Sequence, residues 1–133
     1  MNTQELFTQA QKALEYSYSP YSNFKVGAAL LSKQGKIYTG CNIENASFGA
    51  TNCAERTAFF KAVSEGETDF EAIAITAINK DGNEVTANPC GICLQVMTEF
   101  CKPDFQIILK QNGEIKVYTL SQLLPNAFDG KQI

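Results

Sequence analysis

The sequence predicts an α/β protein of three layers, α/β/α, with helices on both faces of a mixed five-stranded sheet. Three observations carry that prediction. Segments of helical period alternate with short apolar segments of strand length along the whole chain. Two turn signals, Lys33-Gln34-Gly35-Lys36 and Gln111-Asn112-Gly113-Glu114, mark antiparallel hairpins towards either end. Between the hairpins, two helical segments each run from one strand to the next, as crossovers do.

Residues 3–18 place Leu6, Phe7, Ala10, Ala13, Leu14 and Tyr18 on one helical face, with Gln, Glu and Lys between them. Pro20 ends this helix and pushes Ser19 towards an extended shape. Phe24 to Leu31 and Ile37 to Asn42 read as strands, with Gly35 taking the positive-φ position of their turn. The stretch 42–52 has no period. It is a loop leading into the first of the paired cysteine motifs, so its side chains should line the same site. Cys53 to Ser64 is a helix with Ala58, Phe59, Ala62 and Val63 inward, stopped at Gly66. Glu71 to Ile78 reads as a central strand buried on both faces. A turn at residues 79–83 and a loop to Pro89 follow. Cys90 to Cys101 is the next helix, Phe105 to Leu109 and Ile115 to Tyr118 are strands, and Ser121 to Leu124 is a helical turn closed by Pro125. Right-handed crossovers progressing in one direction put the Cys53 and Cys90 helices on the same face of the sheet. Their N-termini then meet at the carboxyl ends of the strands, where open α/β sheets bind ligands.

The chain has 133 residues, enough for one domain spanning 1–133, and its hydrophobic fraction of 44% suffices for one core. The net charge is -3 and no Lys/Arg block occurs, which disfavours a nucleic-acid partner. No apolar run is long enough to cross a bilayer, and the N-terminus lacks the basic-then-apolar pattern of a secretory signal, so a soluble cytoplasmic protein is expected. A small uncharged substrate suits this charge balance better than a phosphorylated one. Five cysteines, an odd number, in a chain of this size read as ligands, catalytic groups or core filler in a reducing compartment.

The chemistry concentrates in two runs, Cys53-Ala54-Glu55-Arg56 and Pro89-Cys90-Gly91-Ile92-Cys93, each where a helix should begin. The chain has no histidine. Thiolates bind zinc readily, and Cys-x-x-Cys sets two sulfurs on one metal. A helix N-terminus carries about half a positive charge and lowers a thiol's pKa. Cys53, Cys90 and Cys93 would leave one tetrahedral position open, as a catalytic zinc requires. Three thiolates leave the metal formally anionic and less able to acidify water. Arg56, beside the ligands, can donate to the sulfurs and offset that charge. Glu55, in the first helical turn, is placed for general acid–base work rather than ligation. Other readings stay open on these residues alone. The Cys-x-x-Cys pair could be a redox dithiol. Cys41 or Cys101 could supply a fourth ligand to a structural Cys₄ zinc, although a strand end and a helix end suit packed thiols better. Glu55 and Arg56 by themselves would be an ordinary solvated helix face.

The combined pattern matches the zinc-deaminase signature of a ligand, a spacer and Glu followed by Pro-Cys-x-x-Cys. Nearly end to end, the chain resembles the short homotetrameric bacterial cytidine deaminases. The resemblance runs through residues 20–30 (Pro-Tyr-Ser-Asn-Phe-Lys-Val-Gly-Ala-Ala-Leu), 40–46 (Gly-Cys-Asn-Ile-Glu-Asn-Ala), 52–58, 89–93 and 123–128. It implies a cytidine-deaminase-like fold and one Zn²⁺ per chain on Cys53, Cys90 and Cys93. It implies Glu55 as proton shuttle in converting cytidine and 2′-deoxycytidine to uridine and 2′-deoxyuridine plus ammonia, in pyrimidine salvage. It also implies that Asn42 and Glu44, with Ile43 between them, meet the ribose, chiefly its 3′-hydroxyl. The Ala54 backbone would read the base edge, Phe24 would flank the nucleoside, and Phe128 from a neighbouring subunit would stack on the pyrimidine. Each active site would then be shared within a homotetramer. Simpler readings stand beside these: core aromatics for Phe24 and Phe128, a turn residue for Asn42, a solvated loop carboxylate for Glu44. A glutamate at 44 would also repel a phosphate and favour nucleosides over nucleotides. Two positions depart from the pattern: Leu94 stands where Arg usually follows the last cysteine, and Phe48 where Tyr is common. Related chemistry on another aminated nucleoside, such as a blasticidin-like compound, and a non-catalytic zinc module are the competing functions.

Overall fold

The computed structural model describes residues 2–133, apart from the side chain of Gln132. Helix α1 (Thr3–Ala13) opens with the Asn2 side chain accepting the Glu5 amide at 2.8 Å, and buries Leu6, Phe7, Ala10 and Ala13. It stops short of the expected residue 18. A tight turn at Leu14–Tyr16 follows, after which Tyr18 donates its amide to Asn42 O (3.0 Å) and accepts the Glu44 amide (2.8 Å). Those backbone groups are taken by a neighbouring segment, so the helix cannot keep them.

Strands β1 (Lys25–Ser32) and β2 (Ile37–Cys41) form the first hairpin, with Gly35 at φ 92°. Helix α2 (Ala54–Ser64) leads to β3 (Phe70–Ile78). Helix α3 (Gly91–Phe100) leads to β5 (Gln106–Gln111), which turns through Asn112-Gly113, both at positive φ, into β6 (Glu114–Thr119). That Asn-Gly pair with left-handed backbone at both positions is the turn the sequence predicts. Helix α4 (Leu120–Leu123) starts with a capping box between Thr119 and Gln122.

The sheet has six strands rather than five. The addition is β4 (Glu84–Val85), a two-residue strand that folds back on the end of β3, pairing Ala77 with Val85 and Ile78 with Glu84. Two residues are too few to show any alternation, so this strand is invisible in the sequence pattern. The strand order is β2-β1-β3-β5-β6; every pair is antiparallel except β3 with β5. The connection through α2 passes over β1 to reach β3, and α3 joins β3 to its neighbour β5.

Two apolar layers sandwich the sheet. On one face α1 packs through Leu6, Phe7 and Ala10 against Ala29, Leu31, Ala72, Ala74 and Ile108. On the other, Ala58, Phe59 and Ala62 of α2, Cys93 and Met97 of α3, and Leu120 of α4 share a core with Leu30, Ile73, Ile75 and Ile107. Both crossover helices therefore lie on one face, as expected. Phe59 meets Phe70, Phe100 and Phe105 with ring centroids 5.1, 6.3 and 6.0 Å away, which ties α2 to the C-terminal end of α3. At the opposite end, α2 lies directly on the backbone of β2. A Cβ at Gly40 would stand 2.4 Å from Ala54 O and 2.6 Å from Ala58 N, so no side chain fits there.

Candidate active site

Both crossover helices begin at a cysteine. Cys53 and Cys90 are the N-caps of α2 and α3, each in extended backbone conformation, and neither caps its own helix with its side chain. Residues at this position ordinarily accept an amide of the first turn. Here the two sulfurs face each other at 3.9 Å, and Cys93, one turn into α3, lies 3.6 Å from Cys90. All three sulfurs fall within 4.8 Å of one another, and among the described residues no other group of three or more Cys, His, Asp or Glu does so. Tetrahedral zinc with Zn–S bonds of about 2.3 Å needs sulfur–sulfur separations of about 3.8 Å. The two separations at Cys90 match that requirement, and the trio is suited to hold one zinc per chain.

Cys41 and Cys101 stand outside the trio, which offers no fourth sulfur. Burial raises both thiols, Cys101 to about 12, as expected of packed thiols. All five cysteines are free, so the dithiol is not a disulfide.

The Cys53 thiol is lowered to about 5, first by hydrogen bonding with Cys93, against the effect of burial, and then by Arg56. Cys93 is raised, because its proton is committed to Cys53 and because it is buried. Arg56 Nη2 donates to Cys53 Sγ at 3.2 Å, as its place in the first turn predicts. Its Nε is buried and has no partner.

Glu55 is 4% exposed and lines a cleft of about 260 Å³ together with Cys53, Cys90 and Ala54. Its carboxyl pKa is raised to about 7, mainly by burial; its own backbone amide pulls it down, and the Cys53 charge pushes it up. A carboxyl group near 7 can both accept and return a proton at neutral pH. The close approach of α2 to Gly40 fixes where this first turn stands. Within it, Thr57 donates to Cys53 O at 3.2 Å and accepts from Asn52 Nδ2 at 3.1 Å.

Phe24, Asn42, Ala54 and Glu55 line the cleft, as do Thr51, Asn52, Thr86, Ala87 and Asn88. The stretch 42–52 thus contributes Asn42, Thr51 and Asn52. Residues 86–88 were not anticipated. The signal for them is adjacency: Thr86–Asn88 run into Pro89 and Cys90 as Thr51–Asn52 run into Cys53. Asn42 is 8% exposed and holds the cleft wall together, accepting from Val26 N (2.9 Å) and Ser17 Oγ and donating to Phe24 O (2.7 Å). Ile43 is exposed and bridges to Tyr18 and Asn52 through its backbone.

Glu44 lies in an adjoining cavity of about 310 Å³ with Tyr21, Ser22 and Thr51; Thr51 borders both spaces. Its Oε1 accepts the amides of Tyr21 (2.9 Å) and Ser22 (3.1 Å), and its Oε2 accepts Ser22 Oγ. The Ser22 hydroxyl, against some burial and helped by these amides, holds the carboxyl below its usual range. Phe128 is 55% exposed and lies outside the cleft of its own chain, where Gln95 Nε2 donates to its carbonyl at 2.9 Å. Leu94, the departure noted above, is buried in the core on the α2/α3 face, so the side chain at 94 packs inward in this chain.

A mixed α/β sheet with three cysteines at two helix starts and a buried glutamate beside them defines the class of zinc-binding deaminase domains. Residues 1–109 match the family described as the cytidine and deoxycytidylate deaminase zinc-binding region, and the chain belongs to that family. It is 50% identical to a cytidine deaminase of Halalkalibacterium halodurans over the whole chain and 98% of that protein. It is 47% identical to one of Sporosarcina psychrophila, over the whole chain and 96% of that relative. The crystal structure of cytidine deaminase from Burkholderia pseudomallei superposes with a TM-score of 0.87 at 45% identity, covering 96% of this chain and all of that one.

Proposed function

We propose that this protein is a zinc-dependent cytidine deaminase that converts cytidine and 2′-deoxycytidine, with water, to the uridine nucleosides and ammonia. The observation that carries the reading is the three-sulfur cluster with the buried Glu55 beside it in one cleft. Zinc held by Cys53, Cys90 and Cys93 supplies Lewis acidity that makes water nucleophilic near neutral pH. Glu55 takes a proton from the attacking water, delivers it to N3 of the pyrimidine, and later carries a proton to the departing amine. Arg56 offsets the charge of the sulfurs through its bond to Cys53. The Ala54 backbone, at the rim of the first turn, reads the base edge, and Phe24 flanks the nucleoside. Asn42, Ile43 and Glu44 form the sugar end; the anionic Glu44 selects nucleosides over nucleotides by repelling a phosphate.

The active unit is a homotetramer in which Phe128 stacks on the pyrimidine bound by a neighbouring subunit. Its exposure, outside its own cleft, supports that role. The protein acts in the cytoplasm, in pyrimidine salvage, as one 1–133 domain. Its free cysteines suit a reducing compartment. Among the described residues, no helix is long and apolar enough to cross a membrane. The test is to incubate zinc-loaded protein with cytidine and follow ultraviolet absorbance and ammonia. Equimolar uridine and ammonia are expected; no conversion at high protein concentration overturns the reading.

A further inference from the structure

The cavity adjoining the cleft, the proposed sugar end, has a hub at Ser22 that the proposed chemistry does not use. Ser22 Oγ donates to Glu44 Oε2 and accepts the Phe24 amide at 3.0 Å. The Ser22 amide donates to Glu44 Oε1, with the Tyr21 amide on the same oxygen. One serine therefore joins the carboxylate of Glu44 to the residue that carries the Phe24 ring. The turn is sharp: Asn23, between them, is in the left-handed region at φ 57°. Ser22 itself is exposed, so core packing does not explain its bonds.

We infer that Ser22 is a positioning residue for the sugar, aiming Glu44 Oε2 at a nucleoside hydroxyl and setting Phe24 at the same time. The inference rests on the reading of Glu44 as a ribose ligand. Oε1 already accepts two amides, which fill its in-plane lone pairs. Oε2 accepts only the serine hydroxyl and has a lone pair left for a second hydroxyl. That second hydroxyl is the sugar's. Without the Ser22 hydroxyl, the carboxylate keeps its amide anchors but can swing Oε2 away, and the Phe24 amide loses its acceptor.

The experiment compares Ser22→Ala, Ser22→Thr and Glu44→Gln, each zinc-loaded, with cytidine and with 3′-deoxycytidine as substrates. Ser22→Ala is expected to raise KM for cytidine by roughly tenfold, about the value of one hydrogen bond to a charged group, with kcat little changed. It should raise KM for 3′-deoxycytidine, which has no hydroxyl there to be aimed at, only by the smaller share that passes through Phe24. Ser22→Thr, which keeps the hydroxyl, should restore most of the loss. In the Ser22→Ala, Glu44→Gln double variant, the two effects should fall well short of multiplying. A merely structural role would shift both substrates alike. If Glu44→Gln raises KM for cytidine while Ser22→Ala does not, or if Ser22→Ala affects both substrates equally, the assignment of Ser22 is overturned. If Glu44→Gln itself leaves KM for cytidine unchanged, the ribose reading of Glu44 fails, and the Ser22 assignment with it.

Discussion

The two ends of the site are built by opposite means. At the metal end every functional atom sits on a helix start: Cys53 and Cys90 are N-caps, and Ala54, Glu55, Arg56 and Cys93 follow within the first turns. The first turn of α2 is fixed by packing on the backbone of β2 at Gly40, and further along α2 is tied to the C-terminal end of α3 through the Phe59 cluster. At the sugar end, Phe24, Ile43 and Glu44 are on loops, more exposed, and held by hydrogen bonds: Glu44 accepts from Tyr21 and Ser22, Phe24 donates its amide to Ser22 Oγ and accepts from Asn42 Nδ2, and Ile43 pairs with Asn52 through its backbone. Packing sets positions to a fraction of an ångström and is expensive to disturb. Loop hydrogen bonds are individually worth about 1 kcal/mol and can be retuned one at a time. The contrast suits the division of labour in the proposed function: bond-breaking geometry does not tolerate drift, whereas sugar recognition can.

Substitutions at the two ends should separate accordingly. Cys93→Ala, at the metal end, should abolish zinc retention and drop deamination to background, because two sulfurs remain where three are needed; metal analysis after dialysis and a cytidine assay check both. Gly40→Ala should weaken zinc binding roughly 10–100-fold, the overpacking penalty of about 1–3 kcal/mol falling on the turn that carries Cys53. Chelator competition measures it, and Leu6→Ala, a destabilising change on the opposite face, should leave zinc affinity unchanged. At the sugar end, Glu44→Gln should keep zinc and kcat and raise KM for cytidine by about tenfold. A variant there that lost metal would break the division between the ends.

The stability of the metal-free protein should depend on pH through Glu55. Glu55 is raised by burial from 4.5 to about 7 in the folded state. Between those values the folded state binds the proton more tightly than the unfolded chain. The Glu55 contribution to stability is therefore complete below pH 4.5 and is lost as pH rises through 7. Glu55→Gln, which does not titrate, should gain stability relative to the metal-free parent over that window, by about 3 kcal/mol at most. Urea unfolding of both proteins at pH 5 and pH 7 checks the sign.

The same division explains what the sequence makes legible. The metal end is written locally: Cys-x-Glu-Arg and Pro-Cys-x-x-Cys each occupy a few consecutive residues at a helix start, and right-handed crossovers bring the two starts together. The hairpin glycines and Asn112 are equally local. The sugar end is not. The partners of Glu44 lie 22 and 23 residues away and are largely backbone amides, which carry no sequence signature. Asn42 reads as a turn residue or a ligand, yet its side chain ties Ser17, Phe24 and Val26 across the cleft wall. Strand β4 is too short to show a pattern. Helix α1 ends early because Tyr18 pairs with a segment some 25 residues further on. Leu94 reads as a missing charge in sequence and as a core residue in the fold, because a residue's direction depends on how α3 is rotated against the sheet.

The most direct test of the account is turnover of cytidine by the zinc-loaded protein and its Glu55→Gln variant, side by side, with zinc measured in both. Both proteins should hold one zinc per chain. The parent should release uridine and ammonia, and the variant should be slower by about 10²–10⁴-fold in kcat. A Glu55→Gln protein that keeps its zinc and turns over cytidine at the parent rate would contradict the account.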